Sequence, residues 1–270
     1  MDYQVYQPQQ KLERYVKYYW TLHNDDDLVP HSRERVFPDG CIELIFNYAD
    51  PMRIFENDQA VIQPRNIVHG QLKRFIELES TGRIGLFCAR FQAAGFQPFI
   101  DFDVSDLTDR SMTIAEIWGK EGTTLESEMQ SASNTDQRMV LVEAFLINRL
   151  AKSKKINTEI SLCVDDIIAS DGLMTIDELS QKYHIGKRHL ERKFLSSVGL
   201  SQKLFARIVR FNHALQMIAN KDFSTFTHVA HEGGFYDQAH FIRDFKDFTG
   251  LNPKQYFSEN LEMVKFFNLE

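Results

Sequence analysis

Arg192 and Arg243 stand 51 residues apart in matching surroundings. Laying residues 189–205 over 240–256 pairs His189 with His240, Arg192 with Arg243, Phe194 with Phe245, Gly199-Leu200 with Gly250-Leu251, Lys203 with Lys254 and Phe205 with Tyr256. A guanidinium can bond a guanine edge through two parallel hydrogen bonds, or grip a phosphate. One such arginine is most simply a solvated surface residue, but the same arginine in both copies of a duplication asks for a shared task. Other groups able to meet a base edge surround the pair: Arg188 and Glu191 in the first copy, Gln238, Ala239 and His240 in the second. Glu191 could accept from cytosine N4 or only orient Arg188 and Arg192. Ala239 and Ile242 are apolar where a polar reader could stand. Lys187, Lys203, Lys246 and Lys254 are expected on phosphate or in solvent rather than on bases.

A second polar group lies near the N-terminus. Arg35, Asp39, Cys41 and Glu43 could line an effector pocket. The simpler reading of each alone is a hairpin turn at Pro38-Asp39-Gly40 and a solvated strand residue at Glu43. Cys41, Cys88 and Cys163 are odd in number, far apart and without a C-x-x-C spacing, which fits a reducing cytoplasm and gives neither a disulfide nor a zinc framework. His23, His31 and His69 could serve a metal-dependent barrel, but there is no tight H-x-H pair with a placed carboxylate, so no metal, cofactor or catalytic residue is expected. The alternative function, an enzyme for DNA alkyl-transfer repair or metal-dependent barrel chemistry with a DNA-binding tail, would need the clustered thiols or ligands these spacings lack.

The elements that must carry the arginines can be read from caps and periodicity. Thr175-Ile176-Asp177-Glu178 is a capping box, opening a helix whose Ile176, Leu179 and Tyr183 face inward. A turn through His184-Ile185-Gly186 leads to a second helix with Leu190 and Phe194 buried and Gly199 as its stop. In the second copy, Ser224 or Thr225 caps a helix from Phe226 to Glu232, and Gly233-Gly234 makes the turn. Asp237 then opens a helix with Phe241, Phe245 and Phe248 on its apolar face, ended by Gly250 and Pro253. Phe205 to Ile218 predicts a connecting helix of about 15 residues, ~22 Å long. The first hundred residues read instead as short strands and turns: Cys41–Phe46, Val61–Ile62, Phe75–Leu78 and Ile84–Phe91. Along the first of these, Ile42, Leu44 and Phe46 share one face while Cys41, Glu43 and Ile45 share the other. Helical periodicity follows over 107–118 and 124–150.

Composition sets the frame. Of 270 residues 43% are hydrophobic and 22 are Phe, enough for packed cores. The net charge of −7 hides an asymmetry: residues 175–257 hold 12 Lys and Arg against 8 Asp and Glu, a balance of +4, which leaves −11 elsewhere. A basic module joined to an acidic one lets a nucleic-acid binder keep a low pI. The first residues lack the basic and apolar runs of a signal peptide, and no stretch approaches ~18 uninterrupted apolar residues, so no membrane partner is expected.

Gly234 to Tyr256, GFYDQAHFIRDFKDFTGLNPKQY, resembles the signature of the AraC/XylS family of transcription regulators, and His184 to Ser201, HIGKRHLERKFLSSVGLS, resembles that family's other unit. Gln202 stands where the second copy has Pro253. Arg35 to Phe46, His69 to Gln71 and the Phe91 to Phe99 run resemble a domain often fused to the family. The resemblance implies an α+β chain. Residues 1–150 would be a β-rich, barrel or cupin-like, sensory or dimerising domain, with strands to about 105 and helices from about 106 to 150. A linker at 151–160 would join it to an all-α domain of two helix-turn-helix units and a linker helix at 161–260, with a tail at 261–270. Double-stranded DNA, RNA polymerase, a small-molecule effector and a second copy of the chain are the expected partners.

Overall fold

The computed structural model describes residues 1–24, 33–56, 59–219 and 225–258. The N-terminal region holds two antiparallel sheets. Strands β1 (Asp2–Tyr6), β2 (Val16–Asn24), β4 (Glu43–Asn47), β7 (Asn66–His69), β9 (Ile84–Phe91) and β10 (Ser111–Thr113) form the larger, in the order β1-β2-β9-β4-β7-β10. Strands β3 (Glu34–Val36), β5 (Met52–Glu56), β6 (Gln59–Ile62) and β8 (Ile76–Ser80) form the smaller, in the order β3-β8-β5-β6. Every residue of β9 is buried, because its sheet is covered on both faces.

Alternation along β4 sorts its side chains as expected. Ile42, Leu44 and Phe46 join Phe87, Ala89 and Phe91 in a core closed by helices α1 (Ile114–Ser131) and α2 (Thr135–Lys152). Cys41, Glu43 and Ile45 face the smaller sheet across a cavity. The single helix expected over 124–150 is two. Ala132 leaves the helical region at φ −65°, ψ 130°, and the Asn134 side chain accepts from Gln137 N to begin α2. A polar Ser133-Asn134 pair offers the backbone a local alternative to the helix ladder, and it wins there. The stretch expected to begin a helix at Leu107 is instead a 3-10 turn, Val104–Leu107, followed by β10.

The C-terminal region is all helical: α3 (Thr158–Ala169), α4 (Ile176–Tyr183), α5 (Lys187–Val198), α6 (Gln202–Ala219), α7 (Phe226–Glu232), α8 (Gln238–Thr249) and the short α9 (Pro253–Ser258). The stretch between α2 and α3 outside helices is only 153–157, shorter than the expected 151–160, because Asn157 caps α3. The connecting helix α6 begins at Gln202 and has 18 residues, so it measures ~27 Å rather than ~22 Å. Leu190, Phe194, Phe205, Phe211, Phe241 and Phe245 form one continuous core beneath all of these helices. Phe37 and Ala93 of the β-rich region belong to that same core, so the two regions are packed together rather than strung on a free linker.

Candidate nucleic-acid interface

The 51-residue offset holds in three dimensions. Helices α5 and α8 each have 12 residues, start at positions 187 and 238, and end on glycines in the left-handed region, Gly199 at φ 87° and Gly250 at φ 72°. Three caps that the sequence predicts form, on α4, α7 and α8. Thr175 and Glu178 complete a reciprocal capping box. Thr225 accepts from His228 N, and Asp237 accepts from His240 N. Ser224 lies outside the described residues. One turn departs in detail: the left-handed residue before α5 is His184, at φ 54°, and Gly186 keeps a negative φ.

Both glycine ends lie against the β-rich region. Thr108 Oγ1 donates to the Gly199 carbonyl at 2.6 Å, and a Cβ on Gly199 would stand 3.0 Å from Val104 Cγ1. At the other reader, a Cβ on Gly250 would stand 2.4 Å from the Phe75 ring, and Arg35 Nη1 reaches the Thr249 carbonyl at 3.5 Å. Between these two contacts, Asn212 Nδ2 donates to the Pro38 carbonyl at 3.3 Å, and the Phe37 and Tyr256 rings meet at 6.0 Å. Segments of the β-rich region, mostly outside its strands, therefore brace both helices at their C-terminal ends, and the N-terminal halves, where the candidate readers sit, are left outward.

Arg188, Glu191 and Arg192 on α5, and Gln238, Ala239 and Arg243 on α8, are all exposed. Arg188 and Arg243 have no intramolecular partner among the described residues. Arg192 lies 3.1 Å from His189 Nδ1, and Gln238 Oε1 accepts from Thr227 at 3.0 Å. His240 is half-buried and held: its Nδ1 accepts from Tyr236 N at 3.3 Å, its ring stands edge-on to Phe235, and Nε2 lies 3.6 Å from Asp244. These contacts hold its ring at the start of α8. Lys203 and Lys246 are exposed, whereas Lys187 is already paired with Asp177 at 2.9 Å. The Lys254 side chain lies outside the described residues.

Two contributors escaped the sequence reading. Tyr236 is 92% exposed in the turn before α8, an aromatic ring offered to whatever meets that helix. Asp244 is the reverse, a carboxylate only 2% exposed on the inner side of α8. Arg207 on α6 grips it with both arms, Nη2 to Oδ1 at 2.7 Å and Nε to Oδ2 at 3.2 Å, and Nη2 also reaches Asp247 at 3.1 Å. This fork fixes α8 to the connecting helix. Asp244 could have been noticed as a charge placed among Phe241, Phe245 and Phe248; its partner, 37 residues away, could not.

The other candidate group divides. Asp39, Cys41 and Glu43 line the cavity between the sheets, whereas Arg35 does not: it pairs with Glu77 at 3.0 Å and faces the junction at Thr249. Burial pushes the Cys41 thiol up to about 11, and the Cys88 and Cys163 thiols upward as well, the reverse of what a reactive thiolate needs. Among the described residues there is no cluster of three or more His, Cys, Asp or Glu able to hold a metal; His31 lies outside them. No helix among them is long and apolar enough to cross a membrane.

Comparison with known proteins matches two separate stretches of the chain. Residues 179–259 match a model described as a helix-turn-helix domain, and residues 4–113 match a domain of unknown function, DUF6597. Uncharacterized HTH-type transcriptional regulators of Staphylococcus aureus, in strains MSSA476 and MRSA252, are 36% identical over 83 residues, 31% of this chain and 11% of theirs. The chain thus spans about a tenth of the length of these relatives. Among solved structures, ToxT from Vibrio cholerae aligns over 88% of this chain and 98% of its own, at 11% identity and a TM-score of 0.48.

Proposed function

We propose that this chain, with its AraC-type pair of helix-turn-helix units, is a sequence-specific transcription regulator that lays α5 and α8 into successive major grooves on one face of a DNA duplex. One observation carries the reading: two 12-residue helices in register at a 51-residue offset, each turning an arginine outward at the equivalent position. Equivalent grooves recur every ~34 Å along B-DNA. The ~27 Å connecting helix and the width of the flanking units bring both within reach, and a shorter protein spacing would bend the duplex toward the protein. Arg188, Glu191, Arg192, Gln238, Ala239 and Arg243 are the base-facing candidates, with Tyr236 beside them.

In this reading residues 1–150 form the sensing domain and 161–260 the DNA-binding domain. A ligand held between the sheets acts on the readers through the braced helix ends. RNA polymerase and a second copy of the chain are its protein partners, the cytoplasm is its setting, and no residue has a catalytic task.

Hydroxyl-radical footprinting on a duplex selected by the full chain tests the proposal. The expected pattern is two protected patches on one face, about 10–10.5 base pairs apart. A single patch, or patches on opposite faces, would contradict it. Lys246→Ala should weaken all duplexes alike and lower the salt slope of log K by about 0.9, one phosphate's worth. Lys187→Ala should lower it less, since that ammonium is already engaged by Asp177. Equal slopes for wild type and Lys246→Ala would remove Lys246 from the phosphate contacts.

A further inference from the structure

The cavity between the two sheets is largely apolar, with Asp39 and Glu43 as its carboxylates and Asn47, Gln63, Arg65 and His69 among its other polar lining. Trp20, Ile45 and Leu86 of the larger sheet face Val36, Met52 and Leu78 across it, and Phe37 closes one side. Glu43 stands among them because β4 alternates, and its side chain is 17% exposed. Among the described residues its two hydrogen bonds fall on one oxygen: Trp20 Nε1 donates to Oε1 at 2.9 Å and Arg90 Nη1 to the same atom at 3.1 Å. Arg90, its side chain 4% exposed, gives its other arm to Asp39. Two carboxylates therefore share one guanidinium, and Arg90 itself lines the groove between the domains rather than the cavity.

Among the described residues, that leaves Glu43 a shared guanidinium as its one cationic partner. Burial lifts the Glu43 carboxyl to about 7, the behaviour of an incompletely matched buried carboxylate. His69, paired with Glu43 in the β4–β7 register, does not supply the charge, since burial disfavours its protonation. Arg65 also lines the cavity, but it is exposed and donates to the Ala49 carbonyl rather than to Glu43. A bound cation would match the carboxylate, and the Trp20 and Phe37 rings add faces suited to one. An anion would meet two carboxylates. An uncharged apolar guest would leave Glu43 as it is.

We infer that this cavity takes a small organic ammonium, its protonated nitrogen against Glu43 and its apolar or aromatic body between the sheets, beside Trp20 and Phe37. The inference rests on reading residues 1–150 as a sensing domain, and it names the class of molecule sensed. Phe37 touches the cavity on one side and the helical core on the other, so an occupant bears on a residue shared with the DNA-binding domain.

Calorimetric titration of the full chain, without DNA, with benzylammonium, benzyl alcohol and benzoate tests this. The ammonium should bind about tenfold tighter than the alcohol, and benzoate should show no binding. Glu43→Gln keeps an acceptor for Trp20 and Arg90 and should cut the ammonium preference to about twofold while leaving the alcohol's affinity unchanged. Binding by none of the three, a benzoate affinity equal to the ammonium's, or no preference between ammonium and alcohol would overturn the inference in the wild-type chain alone, whatever the variant's stability. A tenfold preference surviving in a folded Glu43→Gln would overturn it too. Because no duplex is present, such a failure would leave DNA recognition to stand or fall on its own footprint.

Discussion

Arg207→Ala should lower the stability of the helical region by about 3 kcal/mol, because it leaves the buried Asp244 carboxylate without the guanidinium that bonds both of its oxygens. Among the described residues the pair is the most deeply placed ion pair of the helical half: Asp244 is 2% exposed, and both of its oxygens accept from one guanidinium. Arg207 keeps some contact with water, which places the cost at the low end of the range for breaking such pairs. Thermal unfolding should fall by roughly 6–12 °C for a chain of this size. Arg207→Lys keeps a charge but loses the fork, and should fall between wild type and alanine. The damage should centre on α8, since Arg207 ties that helix to α6, and hydrogen exchange along 238–249 should rise first. A melting temperature within ~2 °C of wild type would show that the fork does not hold the second reader.

Arg243→Ala should leave the fold intact and remove about 1–3 kcal/mol of specific affinity, roughly 5- to 150-fold, while relaxing preference at one base position. The side chain is exposed and engages nothing else among the described residues, so its truncation has no structural route to weaken binding. It sits on the outward side of a helix whose inner side, Phe241, Phe245 and Phe248, is fully packed. The melting temperature should be unchanged, which separates this variant from Arg207→Ala. An affinity loss spread evenly over all sequences would instead make Arg243 a phosphate contact.

The helical half was open to sequence reasoning because its signals are local. Caps such as Thr175 and Asp237, glycine stops at 199 and 250, and phenylalanines at helical spacing each act within a few residues, and the duplication shows each signal twice. The β-rich half depends on pairings between distant segments. Strand β2 lies between β1 and β9, and β4 between β9 and β7, and no local pattern announces such an order. Alternation did sort Cys41, Glu43 and Ile45 onto one face, but a solvated face and a cavity wall look alike until the second sheet is placed over it. Gly199 and Gly250 carry a further lesson. Each reads as a helix stop, and each also gives the β-rich region room to approach, against Val104 and Phe75. That second role, like the partnership of Arg207 with Asp244, belongs to tertiary packing.

The most direct test is selection of bound duplexes from a random pool by the wild-type chain, Arg192→Ala and Arg243→Ala in parallel. Wild type should yield two short sequence blocks about one helical turn apart. Arg192→Ala should blur only one block and Arg243→Ala only the other. If both variants degraded the same block, or both returned the wild-type motif unchanged, the two helices would not be separate readers of one duplex.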